Sequence, residues 1–289
     1  MSIRPPAVAG QFYPAGKEAL IREIESQLEK EKSHIDLSLA KKKIYGGVSP
    51  HAGYIFSLPQ ALHLFQILMN AEQVWPQTVL LNPNHTGLGA PLSIDSHQRW
   101  TTPLGETDVD EELAEYLIKE TMDSGHAIRR GSLAHRREHS GEVILPLIQY
   151  FLPQGIFLPL CMGDCSPGAV DQLSHSLARY AREEEAPLII ASSDFTHFKS
   201  PSEGRELDDY ALDAILNLDT KEFLRRVGEK GLSICGFGPI AVLLEYAKKV
   251  STRPKVSLLK RGHSGESAYF QGQEQSEVVD YVSLLVHEE

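Results

Sequence analysis

Long apolar runs are missing from this chain. No stretch of about 18 uncharged apolar residues occurs, so no membrane-spanning helix is expected. The opening residues, Met1-Ser2-Ile3-Arg4-Pro5-Pro6, lack the apolar core of a signal peptide. The expectation is a soluble, cytoplasmic protein with no membrane partner. Cysteine is scarce: Cys161, Cys165 and Cys235 are all there are in 289 residues, too few for a disulfide framework. Cys161 and Cys165 have the spacing of half a zinc site, but no second Cys/His pair follows at a suitable distance. Positive charge is also short. Against 39 acidic residues stand 28 Lys and Arg, for a net charge of −11. That balance excludes a general nucleic-acid binder, which needs a basic face. The dense basic runs, Lys41-Lys42-Lys43 and Arg136-Arg137, read as solvated surface. No phosphate-binding loop occurs, and Gly236-x-Gly238 lacks the third glycine of a dinucleotide fingerprint.

What the chain does have is alternation. Apolar residues make up 42% of it. Short β-branched or apolar runs predict strands over 44–49, 77–81, 156–160, 188–191, 256–259 and 278–286. Helical spacing predicts helices over 58–70, 108–124, 141–151, 169–184, 206–218, 221–227 and 239–249. Pro146 should kink or split the third of these. The stretch 87–105 reads as loop with a short hairpin, and 262–275 as loop. There is no repeat, long Gly/Ser linker or low-complexity segment. The pattern predicts an α/β fold, one domain over residues 1–289, with a mixed, mainly parallel central sheet flanked by helices.

Ligands of open α/β sheets sit beyond the carboxyl ends of the strands. His51 follows the strand at 44–49, His85 follows 77–81, and Asp194 and His197 follow 188–191. Metals and proton transfers use these residue types, and three such placements point to one site. Each residue also has a plainer use. His51 and His85 could be turn residues. Asp194 could cap a helix. If residues 194–197 begin a helix, Asp194 and His197 share a face one turn apart. Cys235 precedes the helix at 239–249, where a helix N-terminus favours thiolate, although a small buried apolar role is open to it too. Glu138-His139 adds an acid/base pair, or else an exposed Glu138 and a helix cap. His263, after the strand at 256–259, is undecided. The other histidines, His34, His63, His97, His126, His135, His175 and His287, read as surface or packing residues.

Through these residues the chain resembles the Memo family, whose prokaryotic members are called AmmeMemoRadiSam system protein B. The likeness runs from Arg4-Pro5-Pro6-Ala7-Val8-Ala9-Gly10-Gln11-Phe12-Tyr13-Pro14 through Pro50-His51-Ala52-Gly53-Tyr54, Pro83-Asn84-His85, Thr102-Pro103-Leu104-Gly105 and Glu138-His139-Ser140 with Leu145-Pro146. It ends in Ser192-Ser193-Asp194-Phe195-x-His197 and Ile234-Cys235-Gly236. The resemblance implies a fold similar to class III extradiol dioxygenases of the LigB type. It implies His51, His85 and Cys235 as metal ligands, Asp194 and His197 as catalytic residues of the same pocket, and His139 with Glu138 behind the ligands. Where the family often has Ser-Gly, this chain has Ser57-Leu58, and it has Asn82 where the family often has Gly. Both changes flank the pocket.

The implied cofactor is a mononuclear non-haem metal, iron first, with copper or zinc as alternatives. The implied activity is dioxygenase-like or other redox chemistry on an unknown substrate, with His197 moving a proton. Other readings are a hydrolase with Cys235 as nucleophile and a metal-independent module binding a small molecule or peptide. The family's system name implies radical-SAM and AMMECR-type pathway partners.

Overall fold

Buried strands alternate with amphipathic helices in the computed structural model, which describes residues 2–289. In chain order the elements are β1 (Ile3–Arg4), α1 (Lys17–Glu31), β2 (Ile44–Ser49), α2 (Tyr54–Met69), β3 (Gln77–Pro83), β4 (Leu92–Ile94), β5 (Arg99–Thr102), β6 (Gly105–Asp108), α3 (Glu111–Thr121), β7 (Arg129–Arg130), α4 (Leu145–Phe151), β8 (Ile156–Met162), α5 (Pro167–Glu183), β9 (Leu188–Ser192), β10 (His197–Lys199), α6 (Pro201–Leu216), α7 (Thr220–Lys230), α8 (Phe237–Val250), β11 (Pro254–His263) and β12 (Val278–Glu288). None of the helices is long and apolar enough to cross a membrane.

The large sheet runs β10-β12-β2-β9-β3-β8-β4-β7, with β11 also paired to β12. Its four inner strands, β2, β9, β3 and β8, are parallel. Antiparallel pairings join β12 to β2 on one side and β4 to β8 on the other. The expected mixed α/β sheet is present, with its parallel part concentrated at the centre. β2 and β9 are buried at every residue, as strands covered on both faces must be. Gly46 and Gly47 let that covering come close. A Cβ on Gly46 would lie 2.0 Å from the Ile189 carbonyl oxygen and 2.8 Å from a Leu243 methyl; one on Gly47 would lie 2.4 Å from a Leu64 methyl. α2 and α8 therefore press on opposite faces of the same dipeptide.

Several expectations need correction. No element is expected before residue 44, yet α1 lies there, burying Leu20 and Ile24. α2 starts four residues before the expected helix and takes Pro59 into its interior. Proline cannot donate to the carbonyl four residues back, and the Ile55 carbonyl instead accepts from the Ser267 hydroxyl at 2.6 Å. Pro146 does not kink a helix. It lies in the first turn of α4, where its missing N–H costs nothing. The expected loop at 87–105 also contains β4, and the short hairpin expected there is β5–β6, which β1 joins in a separate small sheet. β11 extends to His263, into the expected loop at 262–275.

The segment after β9 is not helical. The Phe195 N–H donates to the Asp280 carbonyl at 2.9 Å, and the Asp280 N–H donates to the Thr196 carbonyl at 2.8 Å. β12 thus pulls the segment into extension, and His197 opens β10. The one-turn relation expected between Asp194 and His197 does not exist.

Asp208 holds this segment from behind, accepting from the Thr196 N–H at 3.1 Å and its hydroxyl at 2.6 Å. Burial raises the Asp208 carboxyl to about 6 despite those bonds. Asp280 is buried and its Oδ2 has no hydrogen-bond partner. Burial, then the charge of Asp208, raises it to about 7, with Arg261 opposing and Glu266 adding. Both carboxyls ionise near pH 4 in an unfolded chain. The folded state is thus favoured at low pH, and that advantage is lost as pH rises towards 7. Asp280→Asn is expected to raise the urea midpoint at pH 8 and to change it little at pH 4. A difference that stays constant across that range would refute the assignment.

Candidate functional site

β2, β9 and β3 end side by side, with Ser49 opposite Ser192 and Leu81 opposite Ala191. Two residues past these ends stand His51, Asp194 and His85. Cys235 arrives from the other direction, on the turn that leads into α8. Gly236 permits this approach: a Cβ there would lie 2.2 Å from the Ser192 carbonyl oxygen and 2.5 Å from the Ser193 Cβ. The result is one cluster. A ring nitrogen of His51, one of His85 and the Cys235 sulfur all lie within 4.8 Å of one another. A cavity of about 520 Å³ opens beside His85 and Cys235.

Hydrogen bonds decide which nitrogens are free. The Ser192 hydroxyl donates to the Ser140 carbonyl at 2.8 Å. Its oxygen is left to accept from His51 Nδ1–H, 2.7 Å away. His51 Nε2 therefore presents a lone pair, 3.3 Å from Cys235 Sγ. His85 Nδ1–H donates to Glu138 Oε1 at 2.9 Å, which leaves His85 Nε2 bare as well. Glu138 also accepts from the His85 backbone N–H at 2.6 Å, the Ser140 N–H at 3.0 Å and the Ser140 hydroxyl at 2.7 Å. Burial alone would raise its carboxyl, but the His85 bond and charge and the Ser140 donors hold it down to about 2. Glu138 is 1% exposed, so its alternative reading as a surface residue is excluded. His139 stacks on His85 with ring centres 4.8 Å apart. Phe12 lies 4.8 Å from His139.

Like charges crowd this cluster. Burial, then the positive charge that His139, His85 and His197 would carry, keeps the His51 imidazole well below its usual range. His51 is therefore neutral at pH 7. The His51 N–H donates to Asp194 Oδ1 at 2.8 Å, and Asp194 Oδ2 lies 3.9 Å from His51 Nε2. Burial raises the Asp194 carboxyl to about 6, against the bonds and charges of its neighbours. Cys235 accepts from the Asp194 N–H at 3.2 Å. The helix N-terminus does not leave it a thiolate, as position alone suggested. Burial, then the charge of Asp194, pushes the thiol well up. His197 Nδ1–H is held by the Phe195 carbonyl at 2.6 Å and the Ser233 carbonyl at 2.8 Å, so its Nε2 is the nitrogen able to take a proton.

Other candidates fall outside. Cys161 is buried against the Pro83 carbonyl, 3.6 Å away, and Cys165 packs under Gly238. Neither belongs to a potential ligand group among the described residues. His263 pairs across the sheet with Asp280, and its Nε2 is 3.6 Å from Glu266.

Sequence reasoning passed over the frame behind the cluster. Arg4 is buried, with its guanidinium 2.7 Å from Glu142 and 4.0 Å from the Trp100 ring centre. It donates to the His135 and Glu138 carbonyls, each at 2.9 Å. Glu142 accepts from the Ala7 and Val8 N–H groups and the Tyr13 hydroxyl at 2.8–2.9 Å. The residues that signalled this were visible: a lone arginine before Pro5-Pro6, and Glu142 at the edge of an apolar run.

A family model for Memo-like proteins matches residues 4–285. The chain belongs to the Memo family. It is 36% identical over 288 residues to a MEMO1 family protein of Methanosarcina mazei, covering 99% of this chain and 100% of that one. A MEMO1 family protein of Pyrobaculum arsenaticum is 34% identical over 290 residues, with 99% and 100% covered. The crystal structure of an uncharacterized protein from Escherichia coli K12 superposes with a TM-score of 0.49 at 12% identity, covering 78% of this chain and 91% of that one.

Removing one member of a buried ion pair strands the other charge, at a cost of about 3–5 kcal/mol. Arg4→Met in this Memo-family protein is expected to lose that much in urea denaturation. Glu142→Gln should lose a comparable amount, and the double variant less than the sum. Simple additivity would mean that the two residues do not act as a pair.

Proposed function

We propose that this Memo-family protein is a metal-dependent redox enzyme whose mononuclear site is held by His51 Nε2, His85 Nε2 and Cys235 Sγ. The observation that carries the reading is the convergence of these atoms within 4.8 Å, with each Nδ1–H already committed to Ser192 or Glu138. A ligating histidine is normally fixed this way through its other nitrogen. The donor chemistry fits: two neutral imidazoles and one sulfur suit iron, zinc or copper(I). Iron is the preferred occupant, and when bound it would supply electron-transfer and O₂ chemistry. A cation also answers the state of Cys235. With the thiol raised by burial and Asp194, the cysteine needs a neighbouring positive charge to become a ligand thiolate. The same shift disfavours Cys235 as a free nucleophile.

The remaining groups then have definite tasks. Asp194 fixes the His51 backbone through Oδ1 and keeps Oδ2 on the side of His51 Nε2. His197, with Nδ1–H anchored on two carbonyls, exchanges a proton with substrate through Nε2. Glu138 orients His85, and His139 stacks on that ring. The likeness to LigB-type dioxygenases belongs to this proposal, as do radical-SAM and AMMECR-type partners.

Metal analysis of protein purified without added metal is expected to give close to one transition-metal ion per chain. His51→Ala should abolish retention, and Glu138→Gln should weaken affinity about 10- to 100-fold. Calorimetric titration of metal-free protein in buffers of different ionisation enthalpy should report about one proton released per metal near pH 7. Retention by His51→Ala equal to wild type would overturn the ligand assignment.

A further inference from the structure

Behind the segment that carries His197 lies a buried carboxyl with an oxygen left unpartnered. Asp280 is 5% exposed, and its Oδ2 makes no hydrogen bond. α6 lies directly on it: a Cβ on Gly204 would fall 2.1 Å from Asp280 Oδ2. One turn further along α6, Asp208 accepts from the Thr196 N–H and hydroxyl. Residues four apart share a helix face, so one face of α6 both covers Asp280 and holds Thr196. The Asp280 backbone bonds to the same segment, at Phe195 and Thr196. β10 adds little to this hold. It pairs with β12 only at His197–Val279 and Lys199–Val278, with a register shift between them. Phe198, between the two, is exposed and has a φ of 56°, a strained backbone for a bulky residue.

A cavity of about 280 Å³ opens beside Asp280, between the start of α6 and the end of β11. Ser202, Arg205, Arg261, His263 and Glu266 stand on its walls. The charges around Asp280 are therefore mixed. Asp208 and Glu266 oppose its ionisation and Arg261 favours it, but Arg261 is already paired with Asp209. At the adjoining β10–α6 turn, Lys199 pairs with Glu203 at 2.7 Å.

We propose that Asp280 and Asp208 form a proton-operated latch on the segment that carries His197. With Asp280 protonated, α6 lies closed on β12 and holds Thr196. Loss of that proton draws water in from the α6–β11 cavity, parts the first turns of α6 from β12 and frees residues 195–199. A neutral carboxyl can stay buried without a partner at far lower cost than a carboxylate. Opening hydrates Asp280 and returns its carboxyl, held up to about 7 in the closed state, towards the usual range near 4. Opening is thus favoured progressively as pH rises to 7, and no further above it. The latch stands on the fold alone; its consequence for proton exchange by His197 rests on the reading above.

Hydrogen exchange of the full-length protein tests this. Uptake in peptides spanning 193–200 is followed by mass spectrometry from pH 5 to pH 8 and corrected for the intrinsic rate at each pH. Opening is expected to rise about fivefold from pH 6 to pH 7 and only about twofold more by pH 8. β3 should stay at least about tenfold better protected. Asp280→Asn should cut the first rise to less than about twofold. Asp208→Asn keeps an oxygen for both Thr196 donors but removes a charge that raises Asp280, so the rise should move to lower pH. Opening independent of pH in the wild type overturns the proposal. So does a fivefold rise that persists in Asp280→Asn, or protection of 195–199 equal to that of β3. If Asp280→Asn does not fold, Asp208→Asn decides: a transition moved to lower pH supports the latch, and an unmoved one overturns it. The metal reading is decided separately, by metal content.

Discussion

Arg4 and Glu142 meet where almost no water reaches, and the position of the candidate site depends on their meeting. Each charge would be costly alone in that setting. Glu142 offsets its burial by gathering the Ala7 and Val8 amides and the Tyr13 hydroxyl. Arg4 does so by holding the His135 and Glu138 carbonyls and lying over Trp100. The pair therefore clamps the N-terminal segment onto the turn at 135–142. That turn presents Glu138 to His85, and the clamped segment presents Phe12 to His139. A contact made some distance behind the cavity thus sets the tautomer of one histidine and the packing of another.

The parallel centre of the sheet was legible in the sequence because its strands are apolar on both faces and end in residues of evident chemistry. His51 and His85 could be placed on that basis alone. The extended path of residues 193–197 could not, because its cause is long-range: β12, some eighty residues away in sequence, supplies the backbone partners. The same is true of Cys235. Proximity to α8 suggested a thiolate, whereas burial and Asp194 act in the opposite sense, and neither is visible from local sequence. α1 is a different kind of miss. Its buried positions, Leu20 and Ile24, recur at helical spacing in a segment that is otherwise mostly charged and polar.

The electrostatic character of the cluster follows from burial combined with crowding. Charge on His139, His85 or His197 adds to burial in disfavouring a proton on His51. Asp194, itself drawn towards the neutral form, compensates only in part. The fold thus disfavours positive charge on His51 and negative charge on the Cys235 sulfur. Hydrogen bonds from Ser140, Ser192 and Glu138 fix which ring nitrogens of His51 and His85 carry hydrogen.

β12 is the last strand of the chain, yet it sits inside the sheet, hydrogen-bonded to β2, β10 and β11. A ribosome making this protein exposes β2 long before it supplies β12, the antiparallel neighbour. Until then one side of β2 is an unpaired edge, apolar on both faces and open to other chains. Assembly of the sheet is thereby postponed until β12 emerges, and nascent copies on one message are vulnerable to one another until then. A fold that closes a central strand with so distant a partner leaves that edge open while every intervening helix is made.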